Sequence, residues 1–326
     1  MRINNAIKIL CIIIIFLFPS DIYPTHKKLK TVVLKENLSI GDINDFLLYQ
    51  WAGIVVDEEG NIFLTDLKDY SLKKFNSEGQ LLKRAGGKGE GPGEFNSPVT
   101  VKLYNERIYI SEIYKTGIQV FNKNLDFISA ISIDHVIQNF EIISQNEIAA
   151  SCLLLDYSSD DSYIYFFSLD GNEETRIKYG AKDKIPLLDS IDFCFDEEKN
   201  IYIAYKWKDN IKKLNRKGAL IFEKRLLGIK KPIMSETKTQ LGKHPNKMIY
   251  KNIELDIYGN IFILGGHVSK NSSRDIYILN NMGNHRATVT LAEPSHTIYI
   301  DKKNFLYTSA DQGITLKRYS MEYVYE

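Results

Sequence analysis

The feature that most constrains this chain is a short phrase that occurs four times: an aspartate-led turn, an asparagine, and then an aliphatic residue followed by an aromatic one. The copies are Asp57–Phe63, Asp196–Tyr202, Asp256–Phe262 and Asp301–Tyr307. A phrase repeated at such distances indicates a chain built from copies of one supersecondary unit. A polar turn between two apolar runs is typical of a β-hairpin, so the unit is two short strands joined by a tight turn.

The amino-acid composition favours strands over helices. Aromatic residues make up 12% of the 326 residues, with 20 Tyr and 16 Phe, and such residues suit a pleated, half-buried surface. The 42 Lys and Arg residues nearly balance the 41 Asp and Glu residues, which leaves a net charge of +1. Because no global electrostatic field attracts the molecule to nucleic acid or anionic lipid, we expect neither as a general partner.

The spacing of the turns predicts the architecture. Aligned aliphatic residues recur at intervals of 46, 40, 53, 60 and 45 residues and define six units: Ile62, Ile108, Ile148, Ile201, Ile261 and Leu306. A four-stranded propeller blade takes about 40 to 45 residues, and loop insertions account for the two long intervals. The sequence therefore predicts an all-β, six-bladed β-propeller with four-stranded antiparallel blades.

The two ends of the chain are predicted to complete one blade together. The last unit has a clear third strand at Ile314–Tyr319, but little chain remains for a fourth. The strand-like run Lys30–Lys35 lies upstream of the first blade and can fill that outer position. An N-terminal strand would then close the ring and remove an exposed sheet edge, which otherwise promotes aggregation. We expect one propeller domain over residues 26–326, and a monomer.

Residues 1–25 have the pattern of a signal peptide or an N-terminal anchor. Two basic residues precede the ten uncharged, apolar residues Ile9–Phe18, and Pro19 and Asp21 follow. Ten residues are too few to span a bilayer, which takes about 20, but they suit a secretory signal. No small-x-small pair precedes Asp21, so an uncleaved anchor is the alternative. We expect export to the periplasm or the exterior, and no other membrane span.

Two cysteines lie outside that segment, Cys152 and Cys194, each inside a strand-like run. A disulfide in an oxidising compartment and two buried free thiols both fit this pattern. No histidine lies near either cysteine in the sequence, so neither has the pattern of a nucleophile.

The segment Ala85–Pro98, AGGKGEGPGEFNSP, lies between the end of one predicted strand and the start of the next. It resembles the signature of NHL-repeat propellers and of related bacterial six-bladed propeller proteins, and Gly117–Phe121 resembles the third strand of that family. In this chain Tyr114-Lys115-Thr116 replaces the polar Asn-His-Arg segment that usually precedes that strand. The resemblance implies a propeller fold and extends in register towards residue 320.

The glycines of this segment could also be read as a phosphate-binding loop. Glycine-rich backbones expose N–H groups to anions, but Pro92 and Phe95 follow Gly86–Gly91 where such a loop needs a helix. A connector that crosses from the outer edge of one blade to the axis of the next needs glycines as well. We therefore expect a structural connector, with Lys88 as a candidate contact to a partner.

Metal-binding candidates are few and dispersed. Asp66 and Glu112 are expected at the ends of second strands on adjacent blades, where two carboxylates could share a calcium ion. Asp66 could equally cap the following turn. No His-x-Glu or His-Glu-x-x-His pattern is present, so zinc is not expected. His267 and His296 are the first histidine candidates if a metal is bound. We expect no cofactor, with calcium at Asp66, Glu112 or His296 as the alternative.

The range Lys206–Lys251 is strongly basic, with 14 Lys and Arg residues against three acidic ones. The lysines and arginine at 212, 213, 216 and 217 are expected on a solvated hairpin edge. The rest belongs to a long insertion between blades, Gly228–Tyr250, and such loops are often functional, although a solvated loop is the alternative. Its candidate binding residues are Lys230, Lys231, Lys243, His244 and Lys247.

The topology of a four-stranded blade predicts which face binds. Loops between second and third strands emerge on the same face as the blade-to-blade connectors, so the basic insertion, Lys88, the acidic loop Asp156–Asp161 and His267 should share one face. The leading interpretation is a non-catalytic, exported propeller that binds a protein, peptide or polysaccharide partner there. The alternative is a metal-dependent hydrolase or lyase with an axial site built from Asp66, Glu112, His267 and His296. RNA binding, known among NHL domains, conflicts with export.

Overall fold

The computed structural model describes residues 29–113, 115–153, 160–235 and 243–326. The predicted signal or anchor and most of the Asp156–Asp161 loop lie outside the described residues. Within the described ranges the chain forms 23 β-strands and two short 3-10 helices, Pro186–Asp189 and Asp311–Gly313. None of the described helices is long and apolar enough to cross a membrane. The prediction of an all-β chain is confirmed.

The strands form five antiparallel sheets, four with four strands and one with seven. The first strand of the chain is β1 (Leu29–Ile40). The next sheet contains β2 (Trp51–Val56), β3 (Ile62–Asp66), β4 (Ser71–Phe75) and β5 (Leu81–Gly86). The seven-stranded sheet contains β6 (Pro98–Tyr104), β7 (Arg107–Glu112), β8 (Thr116–Asn122), β9 (Phe127–Ser144), β10 (Glu147–Leu153), β11 (Asp161–Ser168) and β12 (Glu173–Ala181).

The second half of the chain forms three further sheets of four strands. One contains β13 (Ile191–Phe195), β14 (Ile201–Tyr205), β15 (Ile211–Leu214) and β16 (Leu220–Lys224). Another contains β17 (Tyr250–Leu255), β18 (Ile261–Gly265), β19 (Asp275–Leu279) and β20 (His285–Thr290). The last contains β21 (Ile298–Ile300), β22 (Phe305–Ala310), β23 (Thr315–Tyr325) and, at its outer edge, β1.

The seven-stranded sheet arises because the 18-residue strand β9 pairs with two groups of strands. Its first part pairs with β8, from Phe127 opposite Phe121 to Val136 opposite Thr116. Its second part pairs with β10, from Val136 to Ser144 opposite Glu147. The outer strand of one hairpin group therefore continues directly into the inner strand of the next.

The N-terminal strand joins the C-terminal strand as the sequence predicts. The run Lys30–Lys35 forms part of β1, which pairs antiparallel with β23 from Leu29 opposite Tyr325 to Ile40 opposite Leu316. Buried Val32 contributes to the core that this sheet shares with its neighbour. The two ends of the described chain are thus held together by backbone hydrogen bonds.

The repeated aspartate fixes each tight turn by the same hydrogen bonds. The Asp57 carboxylate accepts from the backbone N–H of Asn61 at 2.7 Å and from its side-chain amide at 2.9 Å. Asp196 and Asp256 bind their asparagines in the same way, and Asp301 accepts from the N–H of Phe305 at 2.8 Å. An aspartate that binds backbone N–H groups ahead of it stabilises a tight turn.

The hydrophobic core lies between neighbouring sheets, and the second strand of each group is buried on both faces. In β3, Leu64 packs against Tyr307 and Leu316 on one side, and Phe63 packs against Val101 and Ile110 on the other. Strands that are buried on both faces read as continuous apolar runs, which explains the aliphatic-aromatic pairs of the repeated phrase.

The basic hairpin Ile211–Lys217 corrects one expectation. Lys213 is buried, lies 4.5 Å from the centre of the Tyr202 ring and pairs with Asp196 at 3.3 Å. Arg216 lies 4.0 Å from the centre of the Phe166 ring and forms an ion pair with Glu147. Lys213 therefore binds partners within its own sheet, and Arg216 contacts the neighbouring seven-stranded sheet, so the prediction of a solvated edge is wrong for both. Aromatic faces attract cations, and sequence spacing does not reveal which rings are near.

The two described cysteines, Cys152 and Cys194, are both buried free thiols. Of the two alternatives that the sequence left open, the structure therefore has the pair of free thiols. Burial raises the pKa of each thiol, so neither is activated as a nucleophile.

Candidate functional site: the axial cavity

Six strand segments line one cavity between the sheets. They are β2, β6, the second part of β9, β13, β17 and β21. Each begins at the face that carries the connectors between strand groups, here named the loop face. Each ends at the opposite face, which carries the aspartate-led turns and is named the turn face. The cavity has a volume of about 240 Å³ and is lined by residues from the starts of these strands.

The inner strands present aligned residues to the cavity, one per strand. The upper tier, nearer the loop face, consists of Gly53, Thr100, Asn139, Asp192, Asn252 and Thr297. The lower tier lies two residues further along each strand and consists of Val55, Lys102, Glu141, Cys194, Glu254 and Tyr299. Because side chains two apart on a strand face the same way, the tiers lie about 6 to 7 Å apart along the strands.

Hydrogen bonds connect four of the upper-tier strands into a continuous frame. The Asp192 carboxylate accepts from the side-chain amides of Asn139 and Asn252, both at 2.7 Å, and from the backbone N–H of Ile253 at 2.9 Å. The Asn252 side-chain oxygen in turn accepts from the N–H of Ile298 at 2.8 Å. The polar groups of this tier therefore hold neighbouring inner strands together as well as facing the cavity.

The close approach of β2 and β6 depends on Gly53. A β-carbon built on this residue would lie 2.2 Å from the carbonyl oxygen of Val99. The Gly53 N–H donates to Thr65 Oγ1, whose hydroxyl donates to the same Val99 carbonyl, both at 2.9 Å. Glycine is required here because no side chain fits between the two strands.

The lower tier is a buried charge cluster with an acidic excess. Lys102 forms an ion pair with Glu141, and their side chains keep exposures of 23% and 22% because they face the cavity. Burial raises the pKa of Glu141 and raises that of Glu254 well above its usual range. Burial alone would lower the pKa of Lys102, but the attraction of Glu141 and Glu254 outweighs it and raises the value. No described residue donates a hydrogen bond to the Glu254 carboxyl group.

The rim at the loop face is basic. Lys206, which follows β14, and Lys251 at the start of β17 both line the cavity. Burial lowers the pKa of Lys251 to about 8. Beside them, partial burial and the charges of Lys251 and Lys247 lower the pKa of His267. This rim (Lys206, Lys247, Lys251, His267) provides positive charge above an acidic floor.

His296 lines the cavity, but both of its ring nitrogens are engaged. Nε2 lies 2.9 Å from the Trp51 carbonyl oxygen and Nδ1 lies 2.8 Å from the Ser309 hydroxyl. Burial lowers its pKa to about 4, so the ring is neutral at physiological pH and Nε2 donates to the carbonyl. A ring with both nitrogens bound in this way is not poised to ligate a metal.

The two acidic metal candidates bind protein groups instead. Asp66 is buried and accepts from the N–H groups of Tyr49 at 2.8 Å and Gln50 at 3.0 Å, and it pairs with Lys73 at 2.9 Å. Glu112 accepts from the N–H of Asn96 at 2.6 Å, which fixes the end of the connector before β6, and it pairs with Lys115 at 2.9 Å. Among the described residues, no three His, Cys, Asp or Glu side chains are grouped to hold a metal ion.

The basic insertion begins in well-anchored backbone. The buried Asp209 carboxylate accepts from the N–H groups of Leu226, Leu227 and Ile229 at 2.8 to 3.0 Å. Lys230 and Lys231 are exposed and line a small pocket of about 110 Å³ together with Lys208 and Arg225.

Some of the other predicted binding residues lie at the cavity rim, and the rest lie further from the cavity. Lys243 and Lys247 are exposed, while His244 is half-buried and pairs through its backbone with Ser235 at 2.8 Å. Lys88 is exposed in the glycine-rich connector, 5.5 Å from the centre of the Tyr70 ring. The connector itself links β5 to β6 through paired backbone bonds between Gly87, Gly89 and Phe95, as a structural segment does. Of these candidates, only Lys247 and His267 belong to the basic rim.

A second cavity of about 400 Å³ opens towards the turn face. It shares the lower tier with the first and adds Phe195, Glu197 and Lys199 from the end of β13 and its turn. Lys102, Glu141, Glu254 and Tyr299 therefore separate two openings of one axial passage.

Three solved structures are representative of those similar to this chain. A member of the DUF4221 family from Bacteroides vulgatus has 12% identity over 92% of this chain and 100% of its own, with a TM-score of 0.61. Virginiamycin B lyase from Staphylococcus aureus has 10% identity over 89% and 99%, with a TM-score of 0.56. The calcium-binding protein regucalcin from Agrobacterium tumefaciens has 11% identity over 85% and 91%, with a TM-score of 0.55.

At these identities the similarity establishes the fold alone. The chain is a β-propeller. No protein-family model and no curated protein matches its sequence.

Sequence reasoning missed the two tiers and the residues Lys206, Lys251, Lys102, Glu141 and Glu254. The positions directly before and after each aligned inner-strand residue give the two tiers, including Lys102, Glu141 and Glu254, once the first strand of every unit is placed. Lys206 and Lys251 lie outside this pattern. The paired register gives that alignment directly, for example Ile54 opposite Leu64 and Phe193 opposite Ile203.

Proposed function

We propose that this chain is a non-catalytic β-propeller that binds an anionic protein, peptide or polysaccharide partner at the loop face, over the mouth of the axial cavity. The basic rim carries this proposal, because Lys206 and Lys251 face the cavity without an ion pair to a described carboxylate. Clefts that present one sign of charge within low-dielectric walls attract ligands of the opposite sign. An acidic residue or sugar acid of the partner would enter the cavity.

The proposal includes six blades of four strands, closed by β1. It is supported by the six inner strand segments that line the cavity and by the division of β9 into an outer and an inner part. The NHL-like segment Ala85–Pro98 supports a relationship to that group of propellers. Blades of about 40 to 45 residues match the spacing of the units.

Export as a monomer also belongs to the proposal. Export is supported by the apolar run Ile9–Phe18, which has the length of a secretory signal, with an uncleaved anchor as the alternative. A periplasmic or extracellular protein meets peptides and acidic polysaccharides rather than nucleic acid, which agrees with the chemistry of the rim.

Charge-neutralising substitutions in the rim test this proposal. The double variant Lys206→Gln/Lys247→Gln should weaken binding of polygalacturonate or polyglutamate by at least about tenfold, which corresponds to about 1.4 kcal/mol. Isothermal titration calorimetry at low ionic strength measures the affinity, and added salt should weaken it in the unmodified protein.

Lys302→Gln is the matched control, because Lys302 is exposed on the turn face. Its affinity should stay within about twofold of the unmodified protein. A second pair, Lys230→Gln with Lys231→Gln, tests whether the basic insertion extends the site. Equal losses in the rim and turn-face variants would refute the assignment of the binding face.

A metal-dependent hydrolase or lyase with an axial site is the second candidate. One observation favours it: Glu141 and Glu254 face the cavity with raised pKa values, as general acids require. Since these two are the carboxyls of the lower tier, a calcium ion would need further oxygen ligands from the amides of the upper tier. Stoichiometric calcium in the purified protein, lost on Glu254→Gln, would favour this candidate over the first.

A further inference from the structure

Lys251 differs from Lys102, another lysine that lines the axial cavity. Its ammonium group donates to the carbonyl oxygen of Ser295 at 2.8 Å and forms no ion pair with a described carboxylate. Lys102, by contrast, is paired with Glu141. A buried amine whose acceptor is a neutral carbonyl lacks the opposite charge that would hold its proton.

The groups that face Lys251 from neighbouring elements do not supply that charge. Lys206 from the end of β14 lines the same cavity, and Lys247 and His267 lie at the rim. His296, which precedes β21, is neutral because of its burial. These neighbours are therefore cationic or uncharged.

The carboxyls of the same cavity are engaged by hydrogen bonds or an ion pair, or have a raised pKa. Asp192 on β13 accepts hydrogen bonds from Asn139, Asn252 and Ile253. Glu254 lies in the lower tier, on the same strand as Lys251, and its raised pKa favours the uncharged acid. With a pKa of about 8 for Lys251, about a tenth of its side chains are free amines at pH 7.

We propose that Lys251 forms an imine with a small carbonyl compound that carries a carboxylate, such as a 2-oxo acid or an aldehyde acid, while Lys206 binds the carboxylate. This inference rests on the proposed function, because it uses the anion-attracting cavity of the loop face. The volume of about 240 Å³ accommodates a molecule of a few heavy atoms. Asn252 and Thr297 offer hydrogen-bonding groups on its wall.

The reaction balances without any oxidant or metal. The lone pair of Nζ attacks the carbonyl carbon, the C=O π bond breaks, and the oxygen takes up the proton that nitrogen loses. The resulting carbinolamine expels that oxygen as water and forms the C=N bond. One amine and one carbonyl compound thus give one imine and one water. Lysines that are neutral near physiological pH perform this step in enzymes.

Reductive trapping with glyoxylate tests the inference. The full chain is treated with glyoxylate and cyanoborohydride at pH 7, and modified lysines are located by peptide mass spectrometry. Lys251 should gain a carboxymethyl group at least about tenfold faster than exposed Lys302, because burial lowers the pKa of Lys251 and so raises its free-amine fraction. Lys251→Arg should lose this label and keep its thermal unfolding midpoint. Labelling of Lys251 no faster than Lys302 would overturn the inference.

A neutral aldehyde of similar size tests the role of Lys206. The variant Lys206→Met should slow trapping by glyoxylate at Lys251 much more than trapping by glycolaldehyde. Equal slowing of both reagents would refute carboxylate binding by Lys206. Because the trapping needs no macromolecular partner, a protein that binds polygalacturonate at the rim but leaves Lys251 unlabelled would refute only the imine.

Discussion

The aspartate that begins each tight turn is the residue on which the repeat depends. Asp57 shows why: its carboxylate is buried, binds Asn61 through two hydrogen bonds and lies 3.4 Å from the ammonium group of Lys123. Burial alone would raise the pKa of Asp57, but the Asn61 bonds and Lys123 outweigh it and lower the value. The charged form of this side chain therefore stabilises the fold.

The substitution Asp57→Ala should lower the free energy of unfolding by about 1 to 3 kcal/mol, because the backbone N–H of Asn61 loses a charged acceptor. Glu58→Ala, at an 81% exposed neighbour in the same turn, should change it by less than about 0.5 kcal/mol. Chemical denaturation at pH 7 measures both.

The pH dependence gives a second readout of the same variant. Since the pKa of Asp57 is lower in the folded protein, its contribution is fully present above the unfolded value and is lost as the pH falls through the folded value. The difference between the unmodified protein and Asp57→Ala should therefore shrink below about pH 4. A difference that grew on acidification would contradict this account.

At the scale of elements, β1 is predicted to be essential to the last sheet. It covers the edge of β23 along its length and buries Val32 and Ile40. Removing residues 1–40 should lower the thermal midpoint markedly and cause self-association, because the freed β23 edge can pair with another chain. Circular dichroism and size-exclusion chromatography measure the two effects.

A chain that begins at Leu29 is the matched control, since it keeps β1 intact. The point substitution Val32→Asp provides a milder test, because it places a charge in a buried position and should destabilise the protein by several kcal/mol. If the shortened chain without β1 unfolded at the same temperature as the control, the pairing of the termini would not contribute to stability.

The element scale also explains which features the sequence predicts. Each second strand and its preceding turn follow from the Asp and Asn of the repeated phrase, because these residues determine the turn locally. The side chains that the inner strands present to the cavity are harder to predict, because irregular pairing occurs near the starts of these strands. It occurs between Trp51 and Ile54 and between Tyr250 and Asn252. An irregularity of one residue reverses which side chains face the cavity, so the alternation cannot be read from the sequence there.

At the scale of the whole molecule, long-range contacts decided what the sequence left open. The identity of the axial residues depends on six strands that are far apart in the chain. Likewise, the partners of Asp66 and Glu112 are backbone N–H groups of loops before the inner strands, which explains why two plausible metal ligands are structural. His296 could be predicted as axial, but its neutral state depends on Trp51 and Ser309.

The central claim is that the loop face, at the mouth of the axial cavity, binds an anionic partner. Hydrogen–deuterium exchange with and without an acidic oligosaccharide tests it most directly. The account predicts protection confined to the rim segments around Lys206, Met248–Ile253 and Ser295–Ile298. Protection concentrated instead in the turn-face segments Asp57–Asn61 and Asp196–Asn200 would contradict it.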